Sequence, residues 1–225
     1  MPVIAENYQH LKEELGEKVT LVAVSKTKPV EDILELYNLG HRDFGENYVQ
    51  ELVDKEAVLP KDIRWHFIGT LQSNKVKKIA PFVHLIHGVD NIPLLKKINK
   101  HGNKWNRIID CLLQVHIADE ETKHGFYENE MEGIIKQLPN GEFSNIKICG
   151  LMGMSTLTDN LEKIRYEFNY LQDLYKKNSM FAPANSPFTI LSMGMSGDYK
   201  IAIEEGANMV RIGSLIFGQR NNHPA

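Results

Sequence analysis

Eight short apolar runs recur along this 225-residue chain, and most are separated by amphipathic stretches of helical length. That alternation constrains the fold more than any other feature. Strands joined through helical crossovers lie parallel, and parallel strands are buried on both faces, so they read as near-continuous apolar segments. The runs predict strands over 19–25, 42–45, 64–68, 83–87, 109–116, 147–152, 188–193 and 208–212, several of them rich in valine and isoleucine. Between them, apolar residues at helical spacing predict helices over 31–39, 47–57, 91–100, 128–138, 160–177 and 198–205. A further short, lysine-rich helix is expected over 74–80. The clearest stripe is Leu161, Ile164, Phe168, Leu171 and Leu174. Gly40 is placed to follow the first helix as its C′ residue, and Asp90 to cap the one beginning at 91. Eight such units fit an α/β fold of the (β/α)8 TIM-barrel type. A doubly wound open sheet is the alternative, since alternation does not separate the two. No Gly/Ser-rich linker, low-complexity tract or internal repeat divides the chain, so residues 1–225 read as a single domain.

In a barrel the carboxyl ends of the strands converge on one mouth. Polar or glycine-rich segments recur at those ends: Gly45-Glu46-Asn47-Tyr48, Gly69-Thr70-Leu71-Gln72-Ser73-Asn74-Lys75, Gly153-Met154-Ser155-Thr156, Ser192-Met193-Gly194-Met195-Ser196-Gly197 and Arg211-Ile212-Gly213-Ser214. Together they point to a polar ligand site. The first strand ends in Ser25-Lys26. A lysine at a strand mouth, against low-dielectric walls, loses part of its hydration advantage and is more easily neutral and nucleophilic, as a Schiff base with an aldehyde requires. Taken alone, the segment is explained more simply by a solvated lysine after a strand. The last two segments suit phosphate: Gly213 permits close backbone approach, Ser214 offers a hydroxyl and an N–H and could open a short helix, and Ser192 and Ser196 add hydroxyls. Glycine turns closing a barrel account for them equally well. Alternation along Met209-Val210-Arg211-Ile212 puts Met209 and Arg211 on one side. If that side is the interior, Arg211 faces the ligand; otherwise it is a salt-bridged strand-end residue. A guanidinium (pKa above about 12) beside a pyridine nitrogen can only donate, so it disfavours a pyridinium and leaves the ring a weak electron sink.

Other features bound the function. A net charge of −3 gives no general attraction for nucleic acid or anionic membrane. No stretch approaches the roughly 18 apolar residues of a membrane span. Met1-Pro2-Val3-Ile4-Ala5-Glu6-Asn7 is neither a signal nor a transit peptide, and the expected compartment is the cytoplasm. Cys111 and Cys149 sit in separate apolar runs and read as buried free thiols. The nine histidines show no His-x-x-x-His pairing, so no metal site is expected. His66 and His87 read as packed strand-end residues rather than general bases, and Lys75, Lys77 and Lys78 as a solvated helix face. Glu46 and Asp90 could order the pocket or serve as helix caps.

Three long motifs near the start are distinctive: Ala23-Val24-Ser25-Lys26-Thr27-Lys28-Pro29, Phe44-Gly45-Glu46-Asn47-Tyr48-Val49-Gln50-Glu51, and Trp65-His66-Phe67-Ile68-Gly69 with Leu71, Gln72, Asn74 and Lys75. With Gly150-Leu151-Met152, Leu191-Ser192-Met193-Gly194-Met195-Ser196 and Val210-Arg211-Ile212-Gly213…Ile216-Phe217-Gly218, they resemble the pyridoxal phosphate homeostasis protein family. The resemblance runs from about residue 19 to 220 and implies a single barrel of the alanine racemase N-terminal domain type. It implies that pyridoxal 5′-phosphate (PLP) is held as a Schiff base on Lys26, with Arg211 facing the pyridine nitrogen. It also implies that Ser192 and Gly213-Ser214, with Ser196 in the same loop, hold the phosphate, and that Asn47 lies in the pocket. Family members look like PLP carriers or buffers without established turnover, so no catalytic residue is assigned, and apo-PLP enzymes are the implied recipients.

Lys123 matches a family lysine and could assist PLP entry or exit, although a solvated loop charge explains it more simply. Ser214 stands where threonine is common, Gly88 where serine is, and the stretch before Val19 implies an abbreviated first helix. The alternatives are a PLP-dependent amino-acid racemase, or a barrel enzyme acting on a phosphorylated metabolite without PLP. Two-base racemization needs an acid/base on each face of the substrate carbon. In alanine racemase one of these comes from an additional β-domain, which is not expected here. Without one, a monomer is the expected state.

Overall fold

The computed structural model describes residues 3–120, 124–138, 141–182 and 187–219. Strands β1 (Thr20–Val24), β2 (Asp43–Glu46), β3 (Arg64–Phe67), β4 (Leu85–Val89), β5 (Ile109–Gln114), β6 (Ile146–Met152), β7 (Ile190–Ser192) and β8 (Met209–Ile212) form a closed barrel in chain order. Every neighbouring pair is parallel, and β8 returns to β1 in the register Thr20↔Met209 through Ala23↔Ile212. That closing pair excludes the doubly wound sheet, which would leave two open edges. The connecting helices are α2 (Val30–Asn38), α3 (Val49–Val58), α4 (Val76–Ile79), α5 (Ile92–Lys104), α6 (Glu128–Gln137), α7 (Leu161–Ser179) and α8 (Tyr199–Glu204).

Three elements depart from the sequence reading. Helix α1 (Val3–Leu15) runs for 13 residues and is not abbreviated; Tyr8, Leu11 and Leu15 bury one stripe of it. Helix α4 is a single turn, because Val76 and Ile79 are its only buried apolar anchors among exposed lysines. The cap of α5 is Asn91, whose side chain accepts from Leu94 N at 2.8 Å; Asp90 instead accepts from Asn91 Nδ2. A four-residue helix, α9 (Ser214–Phe217), follows β8, and Gly40 (φ 92) directly follows the last residue of the α2 cap, as a C′ glycine does.

Strand alternation sorts the core into two layers. On β1, Leu21 and Ala23 join the large cluster beneath the helices, while Val22 joins Leu85, Leu112, Cys149, Met152 and Met209 inside the barrel. Both faces are buried, which is why the segment reads as one apolar run. The two cysteines are free and buried, Cys111 in the outer layer and Cys149 in the inner. Burial pushes both thiols up, Cys149 to about 12, so neither is a ready thiolate.

The β5–β6 register slips between Cys111↔Ile148 and Leu112↔Gly150, leaving Cys149 as the extra residue of a bulge. Gly150 there has φ 150, and a Cβ on it would lie 1.8 Å from the Ile190 carbonyl oxygen. Gly150→Ala is therefore expected to destabilise the protein by about 2–4 kcal/mol in urea denaturation, through strain and a broken β6–β7 pairing.

His41 ties α1 to β2. Its Nε2 donates to Asp43 O (2.8 Å), so its Nδ1 accepts from the Tyr8 hydroxyl (3.3 Å). Burial pushes this imidazole down from 6.5 to about 4. The unfolded chain binds a proton at the higher value, so stability falls as pH drops from about 6.5 to about 4, at a cost approaching 3 kcal/mol for this group. His84 and His87 are lowered chiefly by burial and act in the same direction. In pH-dependent denaturation, His41→Gln is expected to lose less stability than the parent across that interval.

Candidate functional site

The turn after β1 is fixed by charges from α3. Ser25 N donates to Gly45 O, and the Ser25 hydroxyl donates to Glu46 Oε1 at 2.7 Å. Lys55 Nζ, one turn along α3 from Glu51, donates to Ser25 O, Glu46 Oε1 and Glu51 Oε1, each at 2.7 Å. Glu51 Oε1 also accepts from Thr27 N at 2.5 Å, where the chain turns through the left-handed region (φ 63). Lys26 sits between these two anchored residues, half-buried. Glu46 is fully buried; burial raises its carboxyl, Lys55 opposes the rise, and its Oε2 has no partner among the described residues. Such charges persist in the interior only when paired. Lys55 did not stand out in the sequence, and Glu51 did so only as the last residue of a motif, with no role given to it. Their i, i+4 spacing was the one available signal, and on a helix it ordinarily means a surface pair worth little.

Arg211 lies inside the barrel, as Met209 does, with 4% exposure. Its Nη1 donates to Ser192 O (2.8 Å) and Ser192 Oγ (2.7 Å), and its Nη2 to Gly153 O (3.0 Å). Burial lowers the guanidinium to about 10, opposed by Asp198, so it remains charged at neutral pH. Asp198 shapes the loop after β7: it accepts from Met195 N (2.6 Å) and from the Ser155 hydroxyl (2.8 Å). Gly213 lies against β1, where a Cβ would stand 3.0 Å from Val24 O. Lys28 Nζ reaches across to the Phe217 carbonyl at 2.7 Å.

A cavity of about 330 Å³ opens among these segments. Lys26, Asn47, Ser196, Arg211, Gly213 and Ser214 all line it, brought from the ends of β1, β2, β7 and β8. Lys28 and Ile68 line it too, as do the thioethers of Met154 and Met195, none of which the sequence singled out as site residues. Ser192 does not line it. Its fully buried hydroxyl accepts from Arg211, so it bears on the cavity only through that residue. Asn47 Oδ1 is buried without a hydrogen-bond partner among the described residues, an acceptor left for a ligand donor. Lys123 lies outside the described residues. Lys75, Lys77 and Lys78 are exposed.

At the amino-terminal end of β2 and its neighbours, Asp43, His66 and His84 bring possible ligand atoms within 4.8 Å of one another. Histidine spacing could not show this cluster, because its members come from three different strand segments. Two of its members are already engaged: Arg64 forks Asp43, and His66 Nε2 lies 3.0 Å from Asp43 Oδ1. His66 and His87 are fully packed, and each also bonds a polar partner.

Comparison with known proteins places this geometry. The family described as alanine racemase, N-terminal domain, matches residues 2–221. The pyridoxal phosphate homeostasis protein of Aquifex aeolicus is 42% identical over 201 residues, 89% of this chain and 86% of that protein. PipY of Synechococcus elongatus, solved without PLP, superposes with a TM-score of 0.90 at 34% identity, covering 96% of this chain and all of that one. The same protein solved with PLP bound gives 0.85 at the same identity and coverage. The chain therefore belongs to the alanine racemase N-terminal domain family and, within it, to the pyridoxal phosphate homeostasis proteins.

Proposed function

We propose that this protein binds PLP as a Schiff base on Lys26 and buffers or delivers it within the cytoplasm, acting as a monomer with apo-PLP enzymes as recipients. The observation that carries the reading is one cavity that holds both a strand-end lysine and a buried, charged arginine. The PLP-bound relative supports it. The residues present fit the group: Lys26 for the aldehyde, Arg211 for the ring nitrogen, Ser196, Gly213 and Ser214 for the phosphate, and the unpartnered Asn47 Oδ1 for a ligand donor. When bound, PLP supplies an aldehyde that condenses with the lysine amine, releasing one water.

The protein's own groups then favour holding over turning over. Arg211 has no proton acceptor to offer, so it keeps a ring nitrogen unprotonated and the ring a poor electron sink. A racemase needs a second base across from Lys26. Among the described residues that line the cavity, the other amine is Lys28, whose Nζ is engaged by the Phe217 and Gly218 carbonyls. No tyrosine, histidine or cysteine among the described residues lines it. No described helix is long and apolar enough to cross a membrane.

Borohydride reduction of the PLP-loaded protein followed by peptide mapping is expected to tag Lys26, and Lys26→Ala to lose the Schiff-base absorbance. A tag on another lysine overturns the assignment, and alanine racemization at ordinary enzyme rates overturns the carrier role. Lys55→Met leaves Glu46 buried without its counter-charge. It is expected to destabilise the fold by about 3–5 kcal/mol in urea denaturation and to slow adduct formation by loosening the turn that carries Lys26.

A further inference from the structure

A row of buried polar side chains crosses the barrel interior between Arg211 and Asp43. Arg211 Nη1 lies 2.7 Å from Ser192 Oγ, Ser192 Oγ 3.1 Å from His87 Nδ1, His87 Nε2 2.9 Å from His66 Nδ1, and His66 Nε2 3.0 Å from Asp43 Oδ1. The serine and both imidazoles are at most 1% exposed. Three strands, β3, β4 and β7, contribute the intermediate members. Four consecutive contacts at hydrogen-bond distance need a reason in an interior whose other clusters are apolar, because each polar group unmatched there costs free energy.

The ends fix the direction of the chain. A guanidinium can only donate, so Ser192 Oγ accepts from Arg211. At the other end, burial alone would raise Asp43, but Arg64 and His66 hold it well below the usual carboxylate range, so it only accepts. For two neutral imidazoles a single assignment then satisfies every contact. His66 Nε2–H donates to Asp43, His87 Nε2–H donates to His66 Nδ1, and the Ser192 hydroxyl donates to His87 Nδ1. The serine oxygen thereby turns only lone pairs toward Arg211. Complete burial, together with the neighbouring Arg211, keeps His87 neutral. Three of the five Arg211 donors are used on Ser192 and Gly153, which leaves two for a ligand.

We propose that Asp43, His66, His87 and Ser192 form a hydrogen-bond chain of single polarity that fixes the Arg211 guanidinium at the cavity, making the two histidines positioning residues for recognition of the ligand ring. The link to PLP rests on the functional reading above; the polarity of the chain does not.

The two are tested separately. In histidine-15N-labelled protein without PLP, at mildly alkaline pH, both rings are expected to show the Nε2–H tautomer. An Nδ1–H proton on His87 would reverse the chain and overturn it. So would a shift of the His66 ring nitrogens on adding Zn2+ that a chelator reverses, since a metal would then hold the terminal nitrogen. Asp43→Ala touches neither His87 nor the cavity. It is expected to change the His87 tautomer signal and to weaken PLP binding about tenfold, with Asp43→Asn, whose carbonyl still accepts, restoring both. A folded Asp43→Ala protein with unaltered His87 signal and PLP affinity defeats the proposal. Should that variant fail to fold, Ser192→Ala is expected to weaken PLP binding about tenfold and shift the bound absorbance band, and an unchanged Kd and band defeat it equally. If the parent protein takes up no PLP, the functional reading fails, and the tautomers alone decide the chain.

Discussion

Closure of β8 onto β1 is the constraint on which the rest depends. The pairing sets Val22 opposite Arg211, so the strand that carries the buried guanidinium lies directly beside the strand that leads into the turn holding Lys26. These residues are separated by almost the whole sequence, and only a closed parallel sheet makes them neighbours. The same closure removes both sheet edges and gives each strand two buried faces. An apolar plug occupies part of the interior, and a connected polar set occupies another part.

Two buried polar systems flank the cavity, and they handle charge differently. Beside β1, Lys55 is shared by Glu46 and Glu51, and its third bond goes to the main chain of Ser25. The stabilisation is spent on backbone position, since the lysine and both acids fasten the residues on either side of Lys26. Beside β8, Arg211 meets carbonyls and a hydroxyl rather than a carboxylate. A guanidinium matched by neutral acceptors keeps more of its field for a ligand than one neutralised by an ion pair. The carboxylate at the remote end of the interior row, Asp43, has its own cation in Arg64.

Legibility in the sequence followed the range of the interaction that encodes each feature. Most strand and helix positions were readable within a few residues, because burial of both strand faces and one helix stripe leaves a local pattern. The two-residue spacing put Arg211 on the same side as Met209, but that this side is the interior came only from the barrel. Helix α1 was underestimated, since the cue used was the length of the segment and not its own apolar residues at Tyr8, Leu11 and Leu15. The α5 cap fell to Asn91 and not Asp90, a one-residue ambiguity between two good capping types that only backbone geometry resolves. Ser192 was grouped with the loop hydroxyls because the chain passes from strand to loop there without a break in composition, yet its hydroxyl belongs to the interior.

The sequence by itself determined the alternation of strand and helix, the apolar layers, and the clustering of polar residues at strand ends, all of which are written in neighbouring residues. The tertiary structure alone decided which charges meet. Whether Lys55 is a surface cation or a buried clasp, and whether His66 and His87 are packing or part of a connected polar row, depends on distances between strands that the chain order does not contain. Hydrogen bonds act over a few ångströms in space, and the barrel, not the local pattern, sets which groups come within that range.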